Sequence, residues 1–125
     1  MKGAAMRNAT REFFDQIADQ RFDARLGQAK GTLGFDVEGK HPEHFHVVLD
    51  RGAITVSQET GDADVTVATD QATFDGIVEG RINATTAALR GLVHVHGDVD
   101  LLFYFQRLFP APARGAEAAE MGGVR

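Results

Sequence analysis

Five histidines hold most of the chemistry this chain could offer: His41, His44, His46, His94 and His96. Four of them form two His-x-His pairs. On an extended strand residues i and i+2 share a face, so either pair could chelate a transition metal through two imidazoles. Both pairs occupy polar positions of alternating segments, which puts the rings on the wet side of a sheet. A shared four-histidine site would need those two strands to be neighbours. Solvated surface histidines are the simpler reading, and no metal site is expected. Their titration near neutral pH would make that face pH-sensitive.

The acidic pairs Asp36/Glu38, Asp62/Asp64 and Asp98/Asp100 fall on a wet strand face, a turn and a helix N-terminus, where carboxylates belong in any case. Ser57 is the only serine, and Val-Ser-Gln lacks the glycines of a nucleophile elbow. The chain has no cysteine, no P-loop and no G-x-G-x-x-G run. The Asn-Ala-Thr triplets at Asn8 and Asn83 read as helix starts. No catalytic residue and no cofactor site is expected.

The elements that position these groups follow from periodicity. Thr10 to about Gln20 reads as a helix with Phe14, Ile17 and Ala18 on one face. Four runs then alternate with period two: Thr32–Glu38, His44–Asp50, Ala53–Ser57 and Asp64–Thr69. Each buries one set (Leu33, Phe35 and Val37 in the first; Phe45, Val47 and Leu49 in the second) and leaves the other polar. Turns at Gly39 to Glu43, Asp50-Arg51-Gly52 and Thr60-Gly61-Asp62 predict four meandering strands. A helix capped by Thr69 or Asp70 carries Phe74, Ile77 and Val78 and ends at Gly80. A second begins near Asn83–Thr85 and stops at Gly91. A fifth strand, Leu92–His96, precedes a helix from Val99 to Phe109, capped by Asp98 and closed by Pro110. The sum is an α+β two-layer sandwich: a five-stranded, mainly antiparallel sheet with helices covering one face.

The last helix is apolar nearly all round. Leu101, Leu102, Tyr104, Phe105, Leu108 and Phe109 form a broad face, with Val99 and Phe103 on the other side. Either that face is ordinary core, or the helix walls a cavity or presents Phe103 to a partner or membrane. The chain of 125 residues reads as one domain over 10–110, with an N-terminal tail (1–9) and a disordered C-terminal tail (111–125). A net charge of −5 supplies no basic cluster for nucleic acid, and it disfavours electrostatic docking on anionic membrane. No apolar run resembles a signal peptide or a span, so a cytoplasmic location is expected.

Several of these segments together resemble the sterol carrier protein type 2 family. The resemblance rests on Ala63-Asp64-Val65-Thr66-Val67, Phe74 and Gly80. It continues through Ala88-Leu89-Arg90-Gly91, Val93-His94-Val95-His96-Gly97-Asp98, Leu101-Leu102 and Leu108. The hairpin Val48–Val56 also fits. It covers about residues 10 to 110. It implies an apolar tunnel between the layers, a fatty acid, acyl-CoA, phospholipid or sterol as ligand, no chemistry of its own, and a strand order that separates the second strand from the fifth. The chain ends Gly-Gly-Val-Arg, so the peroxisomal signal of some eukaryotic members is not expected. The pocket candidates are Phe14, Ile17, Phe35, Phe45, Val47, Phe74, Ile77, Leu101, Leu102, Phe105 and Phe109, among which periodicity does not divide core from lining. The expected function is non-catalytic lipid carriage, with transient membrane contact. The alternatives are an accessory module docking a lipid-pathway enzyme and a small-substrate enzyme with a cone-shaped apolar pocket. The oligomeric state is left open.

Overall fold

A computed structural model describes residues 8–110. The expected C-terminal tail, and the first seven residues of the N-terminal one, lie outside the described residues. Helix α1 (Ala9–Gln20) starts where Asn8 Oδ1 accepts a hydrogen bond from the Arg11 amide. Strands β1 (Lys30–Glu38), β2 (Glu43–Asp50) and β3 (Ala53–Ser57) follow, then β4 (Val65–Asp70). Helices α2 (Gln71–Val78) and α3 (Ala84–Leu89), strand β5 (Val93–Gly97) and helix α4 (Val99–Phe105) complete the chain. Asp70, Asn83 and Asp98 cap α2, α3 and α4 through their side-chain oxygens. The helix expected from Val99 to Phe109 is instead α4 followed by a 3-10 turn, Gln106–Leu108. Tightening to i→i+3 bonds satisfies terminal carbonyls before Pro110, which has no N–H to continue the ladder.

The sheet order is β3-β2-β1-β4-β5, with the central β1–β4 pair parallel and the other three pairs antiparallel. This corrects the expected four-strand meander. Strands β1 to β3 do meander, but β4 joins the far side of β1. Alternation reports which face a side chain takes and is silent on which strand lies alongside. Residues 58–64 make the crossing over the face opposite the helices. A Cβ built on Gly34 would lie 3.5 Å from the Cβ of Ala63, and His46 Nε2 lies 3.4 Å from the Asp62 carbonyl oxygen. The face expected to be wet is therefore partly covered above β1 and β2. His44 is half-buried there, its Nδ1 2.5 Å from Asp36 Oδ1. His94 and His96, on the far edge, are exposed.

The helices pack on the other face around a cluster of phenylalanine rings. Phe14 stacks on Phe45 at 4.1 Å and on Phe74 at 5.7 Å, and meets Phe35 at 5.2 Å. Leu33, Val47, Leu49 and Val65 are fully buried beneath them. Helices α1 and α2 are tied by a polar contact as well: Asp75 Oδ1 accepts from the Thr10 amide at 3.0 Å and its hydroxyl at 2.7 Å. Among the described residues no helix is long and apolar enough to cross a membrane.

Candidate functional site

The sheet floor beyond Phe35 is set by Val67 of β4 and by Val93 and Val95 of β5. Period two points all of them to the helix side. Above this floor α3 is only six residues long, and its Ala84 and Ala88 offer methyl groups where larger side chains would have filled the layer. A cavity of about 310 Å³ results. It is bounded by Phe74 and Ile77 of α2, Ala84, Thr85, Ala88 and Leu89 of α3, and Val99, Leu102 and Phe103 of α4, with Gln106 and Phe109 beyond. Among the described residues Thr85 and Gln106 are its only polar side chains, and none that lines it is titratable.

At the rim, Leu89 is 83% exposed, Phe103 58% and Val99 46%. These are costly places for large apolar side chains unless something apolar passes between them. The space is about twice the ~150 Å³ void that accepts benzene in a protein core. An apolar void of this kind holds water poorly and hydrocarbon well.

Of the eleven pocket candidates, Phe35, Phe74, Ile77, Leu102 and Phe109 line this cavity. Phe14, Ile17, Phe45, Val47, Leu101 and Phe105 sit in the packed core beside it. Sequence reasoning passed over Val67, Ala84, Thr85, Ala88, Leu89, Val93 and Val95 as lining, and treated Val99 and Phe103 only as a surplus face. The available signal was the small residues of α3, because a void forms where side chains stop short.

The polar groups gather elsewhere. Asp23, buried between Arg25 and Gln20, caps a 3-10 turn at Ala24–Leu26. The Arg25 guanidinium holds its carboxyl well below the usual carboxylate range, against the opposing effect of burial. Among the described residues no three His, Cys, Asp or Glu side chains converge as a metal site. The sheet order puts two strands, β1 and β4, between His44 and His46 on β2 and His94 and His96 on β5.

A helix layer over one sheet face encloses an apolar void, and among the described residues its wall carries no reactive group. The chain belongs to the SCP-2 sterol transfer family, whose profile matches residues 11–110. Several solved structures share the fold. The stereoselective inverting sec-alkylsulfatase Pisa1 from Pseudomonas sp. aligns at 28% identity and a TM-score of 0.65 over 79% of this chain and 16% of its own. The chain thus spans about a sixth of that protein's length. A UbiJ-SCP2 ubiquinone synthesis protein aligns at 21% identity and TM-score 0.60, covering 79% of this chain and 90% of its own. The sterol carrier protein domain 2 of Helicoverpa armigera aligns at 16% identity and TM-score 0.65, covering 78% and 82%. No curated protein sequence matches the chain.

Proposed function

We propose that this chain is a non-catalytic lipid carrier that shelters the hydrocarbon part of a fatty acid, acyl-CoA, phospholipid or sterol-like ligand in the cavity between α2, α3, α4 and the sheet. The lining carries the argument: among the described residues it is apolar on every wall but for Thr85 and Gln106. Burying each methylene is worth about 0.8 kcal/mol. A bilayer offers nearly the same shelter, so the net preference between the two is small, which lets a carrier release what it takes up. Leu89, Val99 and Phe103 at the mouth give the protein an apolar contact with the membrane that supplies or receives the ligand, without needing a basic patch.

The same fold forms one part of the much longer sulfatase. That observation favours, as the second reading, an accessory domain that docks an enzyme through Phe103. Native mass spectrometry of freshly purified protein, followed by lipid extraction, separates the two. Near-stoichiometric co-purifying lipid is the expected result. A clean apo mass, with no uptake of a fluorescent fatty acid afterwards, overturns carriage and moves the docking role to the front.

A further inference from the structure

The two edges of the sheet are finished differently. At the β3 edge the chain folds back on itself. Phe22 bridges to Ala53, the Asp23 amide donates to the Gly52 carbonyl, and the Ile54 amide donates to the Arg21 carbonyl. At the β5 edge, among the described residues, no strand or bridge lies beyond Val93–Gly97. Edges of this kind are ordinarily blunted by lysine, proline or a charge. Here the strand reads Val-His-Val-His-Gly, with none of these.

The histidines on this edge also differ from those of β2. His44 and His46 are engaged inside the chain, by Asp36 and by the Asp62 carbonyl. The rings of His94 and His96 are exposed on one face of the sheet and make no hydrogen bond among the described residues.

We infer that β5 is the pairing edge for a second copy of this chain, and that His94 and His96 of the two copies together bind a divalent transition metal such as zinc. The proposal goes beyond lipid carriage and uses none of the cavity's argument. An antiparallel two-fold pairing that engages all five residues of β5 places Val95 opposite Val95, Val93 opposite Gly97, and His94 opposite His96. The four imidazoles then stand on one face, ~7 Å apart along each strand and ~5 Å apart across the pair. That spacing lets rings of histidine length converge on one tetrahedral ion, to which neutral imidazole is a good ligand. One chain supplies only two such ligands, so the site is incomplete without its partner. The uncharged strand brings no like charges into contact between two chains of net charge −5, and the metal adds an attraction they otherwise lack. In the same register Leu92, 43% exposed, comes opposite Asp98 of the other copy.

The test is light scattering and sedimentation of the tag-free full chain, with and without zinc, beside the double variant His94→Gln/His96→Gln. The expected result is a doubling of the 13.5 kDa mass on adding zinc, with one metal per two chains, reversed by a chelator and absent from the variant. The Gln side chains keep the exposed strand polar, and an unchanged circular dichroism spectrum confirms the variant's fold. A wild-type chain that stays monomeric in zinc, binds one metal per chain without dimerising, or assembles equally well after the double substitution overturns the proposal.

Discussion

Phe105 and Leu102 lie on the same helix within one turn, yet their neighbourhoods ask different things of them. Phe105 is fully buried, its ring 5.0 Å from Phe35, 5.6 Å from Phe109 and 6.1 Å from Phe13. Truncating it empties packed core. Phe105→Ala should cost about 3–5 kcal/mol in urea unfolding while changing the fatty-acid affinity of the folded protein little. Leu102 faces the void, so Leu102→Ala should show the reverse weighting, with a smaller stability loss and a larger shift in ligand preference. A second residue-scale prediction concerns Asp23. Its carboxyl titrates below the ordinary value of 3.8 in the folded chain, chiefly because the Arg25 side chain donates to it. A folded-state pKa below the unfolded one contributes stability that is complete above 3.8 and drains away as pH falls beneath it. Urea midpoints should therefore drop between about pH 4 and pH 2, and Asp23→Asn, which retains a capping oxygen, should flatten that slope. An unchanged slope would assign the acid sensitivity to other carboxylates.

At the scale of elements, the junction between β5 and α4 leaves no room for a side chain. Gly97 has φ +116°, and a Cβ there would fall 2.3 Å from the backbone oxygen of Asp64. The Asp98 amide donates to that same oxygen, and the Asp98 side chain caps α4. Gly97→Ala must move backbone, so it should destabilise by more than ~1 kcal/mol and loosen the pairing of β4 with β5, visible as faster amide exchange in Val93 to Gly97. This junction was legible in the amino acids, because Gly-Asp before an apolar helix spells a turn and a cap. So were the alternating strands, the helix starts near Asn8 and Asn83, and a cap at either Thr69 or Asp70, of which the structure uses Asp70. The parallel placement of β4 beside β1 was not, since Val65 and Val67 would point inward equally well from either side of the sheet. Nor did alternation disclose that Phe35 faces a void while Phe45, two strand positions from its hairpin, is sealed under Phe14. Periodicity chooses a face, and only the facing layer decides whether that face meets a side chain or a space.

For the whole molecule the question is how much guest a cavity of about 310 Å³ takes before hydrocarbon has to protrude. If carriage is the function, affinity across the saturated fatty acids from octanoate to palmitate should rise by about 0.8 kcal/mol, or about fourfold in Kd, for each methylene that enters the cavity. The rise should end in a plateau once further carbons reach the mouth between Leu89 and Phe103, where they leave one exposed surface for another. Displacement of a fluorescent fatty acid measures this series directly. Val95→Trp provides the matching change on the protein side. Val95 is half-buried on the sheet floor and borders the cavity, so an indole there extends into guest space. The variant should lose at least about tenfold in affinity for the longest acids, shift the plateau to shorter ones, and unfold at the same urea concentration as the wild type or a higher one. Affinity that ignores both chain length and Val95→Trp would place the ligand outside the cavity. The apolar rim would then be a docking surface for protein, since a shared hydrocarbon void cannot bind its guests without counting their methylenes.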